Sequence, residues 1–135
     1  MAKESGLGMT CAVDDAGGTA RTISNDITAV QWSMPSEVQD ITGINNSGME
    51  RMLLLADFAV TLTGVFNPAA NLSHDVFKEV NTSSVTRTVT LTHSAQILET
   101  EDLFTDYGVT RAEDGSLVWT APGVLNETVV PTWTT

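Results

Sequence analysis

The sequence predicts a mainly β fold: an antiparallel β-sandwich or half-barrel with one flanking α-helix. Three observations predict it. Twenty threonines are spread along the chain, many alternating with Val, Ile or Leu, and such residues suit a pleated, half-buried surface. Turn signals bound these stretches at short intervals. One segment only switches to helical spacing. Many short strands with a single helix give two β layers and a helix packed on them.

The first 20 residues are rich in Gly, Ala and Asp. They read as a flexible N-terminal arm over 1–20, either frayed or ordered by contact with another chain. Residues 21–135 read as one domain. Its first strand is Ile27 to Trp32. Pro35-Ser36 then turns the chain into Val38 to Thr42, the expected return arm of a hairpin. A long loop follows over 43–56, with a polar turn (Asn45 to Gly48) and then Met49, Glu50, Arg51, Met52, Leu53, Leu54, Leu55 and Ala56. Loops of this length in small domains are usually functional. Two readings stand for its apolar end: a short helix or strand buried in the core, or an arm that docks on a neighbouring subunit.

Phe58 to Phe66 alternates as a strand, with Phe58, Val60, Leu62, Gly64 and Phe66 on one side. The helix is expected over about 68–80. Asn67 serves as cap and Pro68 as first helical residue, and Leu72, Val76, Phe77 and Val80 form the apolar stripe. A start at Ser73 would shorten it to about two turns of 3.6 residues. Asn81 to Ser84 ends it. Arg87 to His93 is the clearest strand, with Val89 and Leu91 facing away from Thr88, Thr90 and Thr92. Leu103 to Val109 and Leu117 to Ala121 form a last pair around Glu113-Asp114-Gly115, where Gly supplies a positive φ. The apolar Val129 to Trp133 segment makes Trp133 a candidate terminal anchor.

Composition bounds the function. The chain has 135 residues, 41% hydrophobic and 17% charged, and a net charge of −11. That supports one core and argues against extensive disorder. Asp and Glu number 17 against 6 Lys and Arg. Such a surface does not grip phosphate or anionic lipid. Cys11 is the sole cysteine, so no internal disulfide or multi-cysteine metal site forms. No apolar run reaches the roughly 18 residues of a membrane span. The start Met1-Ala2-Lys3-Glu4 lacks the pattern of a secretory signal, and the expected place of synthesis is a reducing cytoplasm.

Catalytic patterns are missing. His74 and His93 have no metal-motif spacing, and neither HExxH nor G-x-S-x-G occurs. Cys11 has no basic neighbour to activate it. No phosphate-binding glycine motif is present. Asp14-Asp15 and Glu99-x-Glu101-Asp102 read as solvated acidic loops in preference to Ca²⁺ sites. Three sequons, at Asn71, Asn81 and Asn126, carry no meaning without a secretory signal. Trp32, Trp119 and Trp133 fit core or inter-subunit packing better than a sugar platform. The expectation is no enzyme and no cofactor.

Three stretches together resemble a known family. They are Ile23 to Trp32, Val38 to Gly43 (with Asp40-Ile41-Thr42-Gly43), and Glu50 to Asn67 around Asp57 to Phe66. In this order, over most of residues 20–125, they resemble the small major tail (tail tube) proteins of long-tailed bacteriophages. The expectation, unlike in larger members, is no appended surface domain after Trp133. The resemblance implies a structural virion protein. Six subunits would form a ring and stacked rings a tube, with a tape-measure protein and other tail proteins as partners, assembled in the bacterial host cytoplasm. It gives the 43–56 loop an inter-ring role. A terminator or connector ring is the near alternative, and a monomeric ligand-binding β module the distant one.

The charge fits a conduit independently. Basic walls would hold a DNA strand, whereas acidic walls let it slide without specific binding. At −11 per chain, a ring of six carries −66. Asp26, Glu37, Asp40 and Asp57 are the candidate lumen acids. Arg21, Arg51, Arg87 and Arg111 would pair with acids, across interfaces or on the surface.

Overall fold

The computed structural model describes residues 3–82 and 84–135. Met1 and Ala2 of the expected arm, and Ser83 of the expected helix stop, lie outside the described residues. In chain order the elements are β1 (Thr10–Asp14), β2 (Ala20–Thr22), a 3₁₀ turn (Ser24–Asp26), β3 (Ile27–Ser33), β4 (Ser36–Asp40), β5 (Arg51–Ala56) and β6 (Ala59–Val65). Then come α1 (Ser73–Phe77), β7 (Arg87–His93), β8 (Gln96–Phe104), β9 (Gly108–Arg111), β10 (Leu117–Leu125) and β11 (Trp133–Thr134).

All pairing is antiparallel. Nine strands form one sheet in the order β2-β1-β7-β8-β10-β6-β3, with β11 added to β8 and β9 to β10. Alternation translates directly into faces. In β7, Val89 and Leu91 are buried while Thr88 and Thr90 are only partly covered. In β6, Val60, Leu62 and Gly64 point inward. Cys11, Val13, Leu91 and Leu98 from one half of the sheet share a single core with Val60, Leu62, Trp119 and Ala121 from the other. The sheet must therefore curl around that core. The chain itself bridges the two end strands: the 3₁₀ turn follows β2, leads into β3, and is tied to β1 by Ile23 N donating to Cys11 O at 3.1 Å.

The fold class matches the expectation, and four local expectations need correction. First, the arm over 1–20 is shortened, because Thr10–Asp14 is drawn into the sheet between β2 and β7; Cys11 and Val13 belong to the core. Second, Val38 to Thr42 is not the return arm of β3. That edge of β3 is taken by β6, and β4 pairs with β5 instead. Third, the helix is the short form starting at Ser73. Asn71 has φ 65°, a left-handed backbone that no continuous helix from residue 68 tolerates. Fourth, Leu103 to Val109 is not one strand: Leu103 and Phe104 end β8, and β9 starts at Gly108. The turn between β9 and β10 is as expected, with Gly115 at φ 93°.

Asp26 organises the helix. It is 6% exposed, and its carboxylate accepts from Ser73 N at 3.1 Å and from Asn67 Nδ2 at 2.9 Å. This distant carboxylate supplies the cap that a local side chain would normally give. Phe77 then packs α1 on the sheet, its ring 5.1 Å from Phe104 and 5.2 Å from Trp119.

Two charged side chains enter the interior at opposed positions of β7 and β8: Arg87 and Asp102. Arg87 donates to the carbonyls of Asp14 and Val76, which clamps α1 and β1 onto β7. Asp102 accepts from Thr100 Oγ1 at 2.6 Å, and its other oxygen has no partner among the described residues. Burial pushes the Asp102 carboxyl up to about 6. The folded state thus disfavours the charged form. The resulting penalty is absent at pH 3, grows as pH rises through the range between the two pKa values, and is complete above 6. Asp102→Asn is expected to gain about 1–2 kcal/mol at pH 7 and nothing at pH 3. Melting temperature against pH for both proteins checks this; an unchanged slope would refute it.

Candidate assembly surface

The expected loop over 43–56 resolves into half a hairpin. Its apolar end is β5, bonded to β4 in a two-stranded sheet separate from the main one. Asp57 N donates to Pro35 O at 2.8 Å and closes the base. Near the tip, Thr42 ties the strands. Its hydroxyl donates to Asp40 Oδ1 at 2.6 Å and accepts from Glu50 N at 2.8 Å, while Ile41 N donates to Glu50 O at 2.9 Å. The Thr42 hydrogen bonds hold the Asp40 carboxyl below its usual range. Gly43 to Gly48 forms the tip.

Every residue of β4 is exposed, as is all of β5 except Ala56. Val38 lies opposite Leu53 and Asp40 opposite Arg51 on one side, and Gln39 opposite Met52 on the other. Apolar groups therefore project from both sides. Leu53 is 71% exposed and Leu55 86%; Met49, Met52 and Leu54 are exposed as well. Of the two readings of this run, burial in the core is excluded: the run projects from the main sheet as an exposed strand. Sequence reasoning missed Val38, Ile41 and Ile44, which join the exposed apolar set. Alternation at Val38 was a usable signal for the first; Ile44 sits inside a polar turn, where nothing marks it. An isolated two-stranded hairpin is marginal in water, and exposed apolar patches of this kind are unusual on monomers.

The candidate lumen acids separate. Asp26 is buried on the helix and is removed from any lumen surface. Glu37 and Asp40 lie exposed on β4, and Asp57 is exposed at the base of the arm. Trp133 is 43% exposed. Its strand pairs with β8 at Leu98, and its ring lies 6.2 Å from Trp32. These contacts lie within the same chain.

The remaining chemical residues are dispersed. His74 Nδ1 is 3.2 Å from the Tyr107 hydroxyl, and His93 Nε2 is 3.6 Å from Glu4. Burial pushes the Cys11 thiol up to about 12, which leaves it unreactive. Among the described residues no three metal-capable side chains gather, and no helix is long and apolar enough to cross a membrane.

No family model matches the chain, and no curated protein matches it. Solved structures do. A chain of the tail of an empty gene transfer agent particle, computed with helical refinement and C6 symmetry, aligns over 98% of this chain and 100% of its own. Its TM-score is 0.72 at 17% identity. A chain of the native gene transfer agent virion gives a TM-score of 0.76 at 15% identity, over 98% of this chain and 100% of that one. A chain of the phage p2 baseplate in its activated, Sr-bound conformation gives 0.52 at 11% identity, over 87% of this chain and 44% of that one. At such identities the likeness is one of fold, and it spans the whole length of the first two. The resemblance carried by the order of short motifs in the sequence is met in three dimensions: this chain has a tail-tube-like fold.

Proposed function

We propose that the protein is a structural subunit of a tail tube. Six copies form a ring, rings stack into a tube, and DNA passes through without specific binding. The observation that carries the proposal is the arm. It exposes apolar side chains on both sides, in a fold similar to that of chains of a gene transfer agent tail and virion. A monomer gains nothing by presenting Leu53 and Leu55 to water, whereas a subunit whose neighbours cover them gains their burial. The role is architectural and calls for no cofactor. Its place is the virion, assembled in the host cytoplasm with a tape-measure protein and other tail proteins. Glu37, Asp40 and Asp57 remain the carboxylates assigned to the conduit. A chain at −11 keeps such a wall repulsive to phosphate.

Negative-stain electron microscopy of the purified protein tests this. Hexameric rings or hollow filaments are expected. A strictly monomeric protein at high concentration would overturn the proposal.

A further inference from the structure

Resting on that reading of the arm, we propose that its receptor is the free edge of β3 in a second copy, to which β5 adds as an extra antiparallel strand. Among the described residues β3 has one hydrogen-bonded neighbour, β6. Its other edge runs over the seven residues Ile27–Ser33, about 23 Å at the rise of a strand. That edge carries no charge and no proline. Native edge strands are normally guarded by charge, proline, a bulge or a covering loop, because an unguarded row of N–H and C=O groups recruits another strand. The register shift between Ile27 and Ala29 is the sole irregularity, and it sits at the start.

The edge also walls a seam. Where it faces Met9, Thr10 and Cys11 there is a cavity of about 230 Å³. Where Trp32 faces Trp133, His93 and Gln96 there is a second, of about 530 Å³. Gly6 and Met9 line both, so the two are consecutive along one groove. A free strand edge beside side-chain cavities is the arrangement that accepts an extended segment. Main-chain bonds give affinity there, and alternate side chains fill the cavities.

β5 fits that groove. It has six residues against the seven of β3. One of its edges is bonded to β4 and the other is free among the described residues. Its leucines have no core of their own. The same chain cannot make this contact: only Asp57 and Phe58 separate β5 from β6, and β6 already occupies the opposite edge of β3. The occupant must come from a second copy. In the antiparallel sense, Arg51 at the start of β5 arrives at the Trp32 end. The two indoles and the Glu4 carboxylate there suit a guanidinium, and β4 with Glu37 and Asp40 stays on the outside. Arm and seam are different patches, so the contact is head-to-tail and repeats from copy to copy.

Hydrogen exchange tests the proposal on the full chain. Amides of Ile27–Ser33 are compared between the assembled protein and a dispersed Leu53→Ser/Leu54→Ser/Leu55→Ser variant. Those not bonded to β6 are expected to exchange at least about tenfold more slowly in the assembly. Glu4→Arg is expected to weaken assembly, and adding Arg51→Glu to restore it. Assembly with unchanged β3 exchange, or a charge swap that fails to restore, overturns the β3 receptor and leaves the tube reading standing. A wild-type protein that never assembles overturns both.

Discussion

Replacing Leu53, Leu54 and Leu55 together by Ser is expected to abolish ring and tube formation while leaving the β domain folded. These residues lie on a strand that pairs only with β4, and none belongs to the core cluster. In the isolated chain Leu53 and Leu55 are mostly in water and Leu54 about half, at 71%, 86% and 47% exposure. Their truncation therefore creates no cavity, and exposed changes of this kind stay within about 0.5 kcal/mol each. In the proposed assembly the same side chains would be buried, and each contributes about 1.5–3 kcal/mol when fully covered. Losing three from every arm removes several kcal/mol per contact on that scale, enough to raise the concentration needed for polymerisation by orders of magnitude at about 1.4 kcal/mol per tenfold. Sedimentation together with circular dichroism separates the outcomes. A variant that unfolds would return the run to the core. A variant that still forms tubes would remove the arm from the interface.

How far the sequence could be read follows from the range of the forces involved. β7 was legible to the residue, because alternation over Arg87 to His93 is a local signal and burial follows it. The β9–β10 turn was legible because Gly115 supplies a backbone that other residues avoid. The partner of β4 was not. Val38 and its neighbours alternate properly, but whether they pair with β3 or β5 is not a local property: β3 is paired by β6, further along the chain (Trp32 opposite Val60), and β4 by β5. The role of Asp26 was hidden for the same reason. As a carboxylate beside a strand it looks solvated, and only the fold brings Ser73 and Asn67 to it. β1 was missed because a five-residue strand flanked by glycines carries too little pattern to stand out. The exposed face of the arm marks a limit of another kind. A run of leucines looks the same whether its cover comes from the same chain or from another, and only the three-dimensional accounting of what is already covered separates the two.

The largest single-residue effect on folding is expected at Gly64, which the alternation of β6 places on the core face. A Cβ added there would lie 2.0 Å from the Asp26 carbonyl oxygen and 2.8 Å from Trp119 Cζ2. Neither neighbour can retreat cheaply. The Asp26 main chain is held where its carboxylate caps α1, and Trp119 is fully buried with its Nε1 donating to Val65 O at 2.9 Å. Trp119 is also in ring contact with Phe77, so a displacement passes to the helix. Gly64→Ala is therefore expected to cost about 3 kcal/mol or more, at the upper end of overpacking, and Gly64→Val to prevent folding. Gly48→Ala is the matched control: at the arm tip a Cβ meets nothing within 4 Å, so the change should stay within about 0.5 kcal/mol. Urea unfolding of the three variants decides the matter, and a Gly64→Ala protein as stable as Gly48→Ala would show that β3, β6 and β10 do not meet as closely as described. The same experiment bears on assembly. The β3 edge is positioned through β6, and Gly64 is paired with Ile27 where that edge begins. A partly folded Gly64→Ala subunit should accordingly lose assembly at temperatures where its β content is still largely retained.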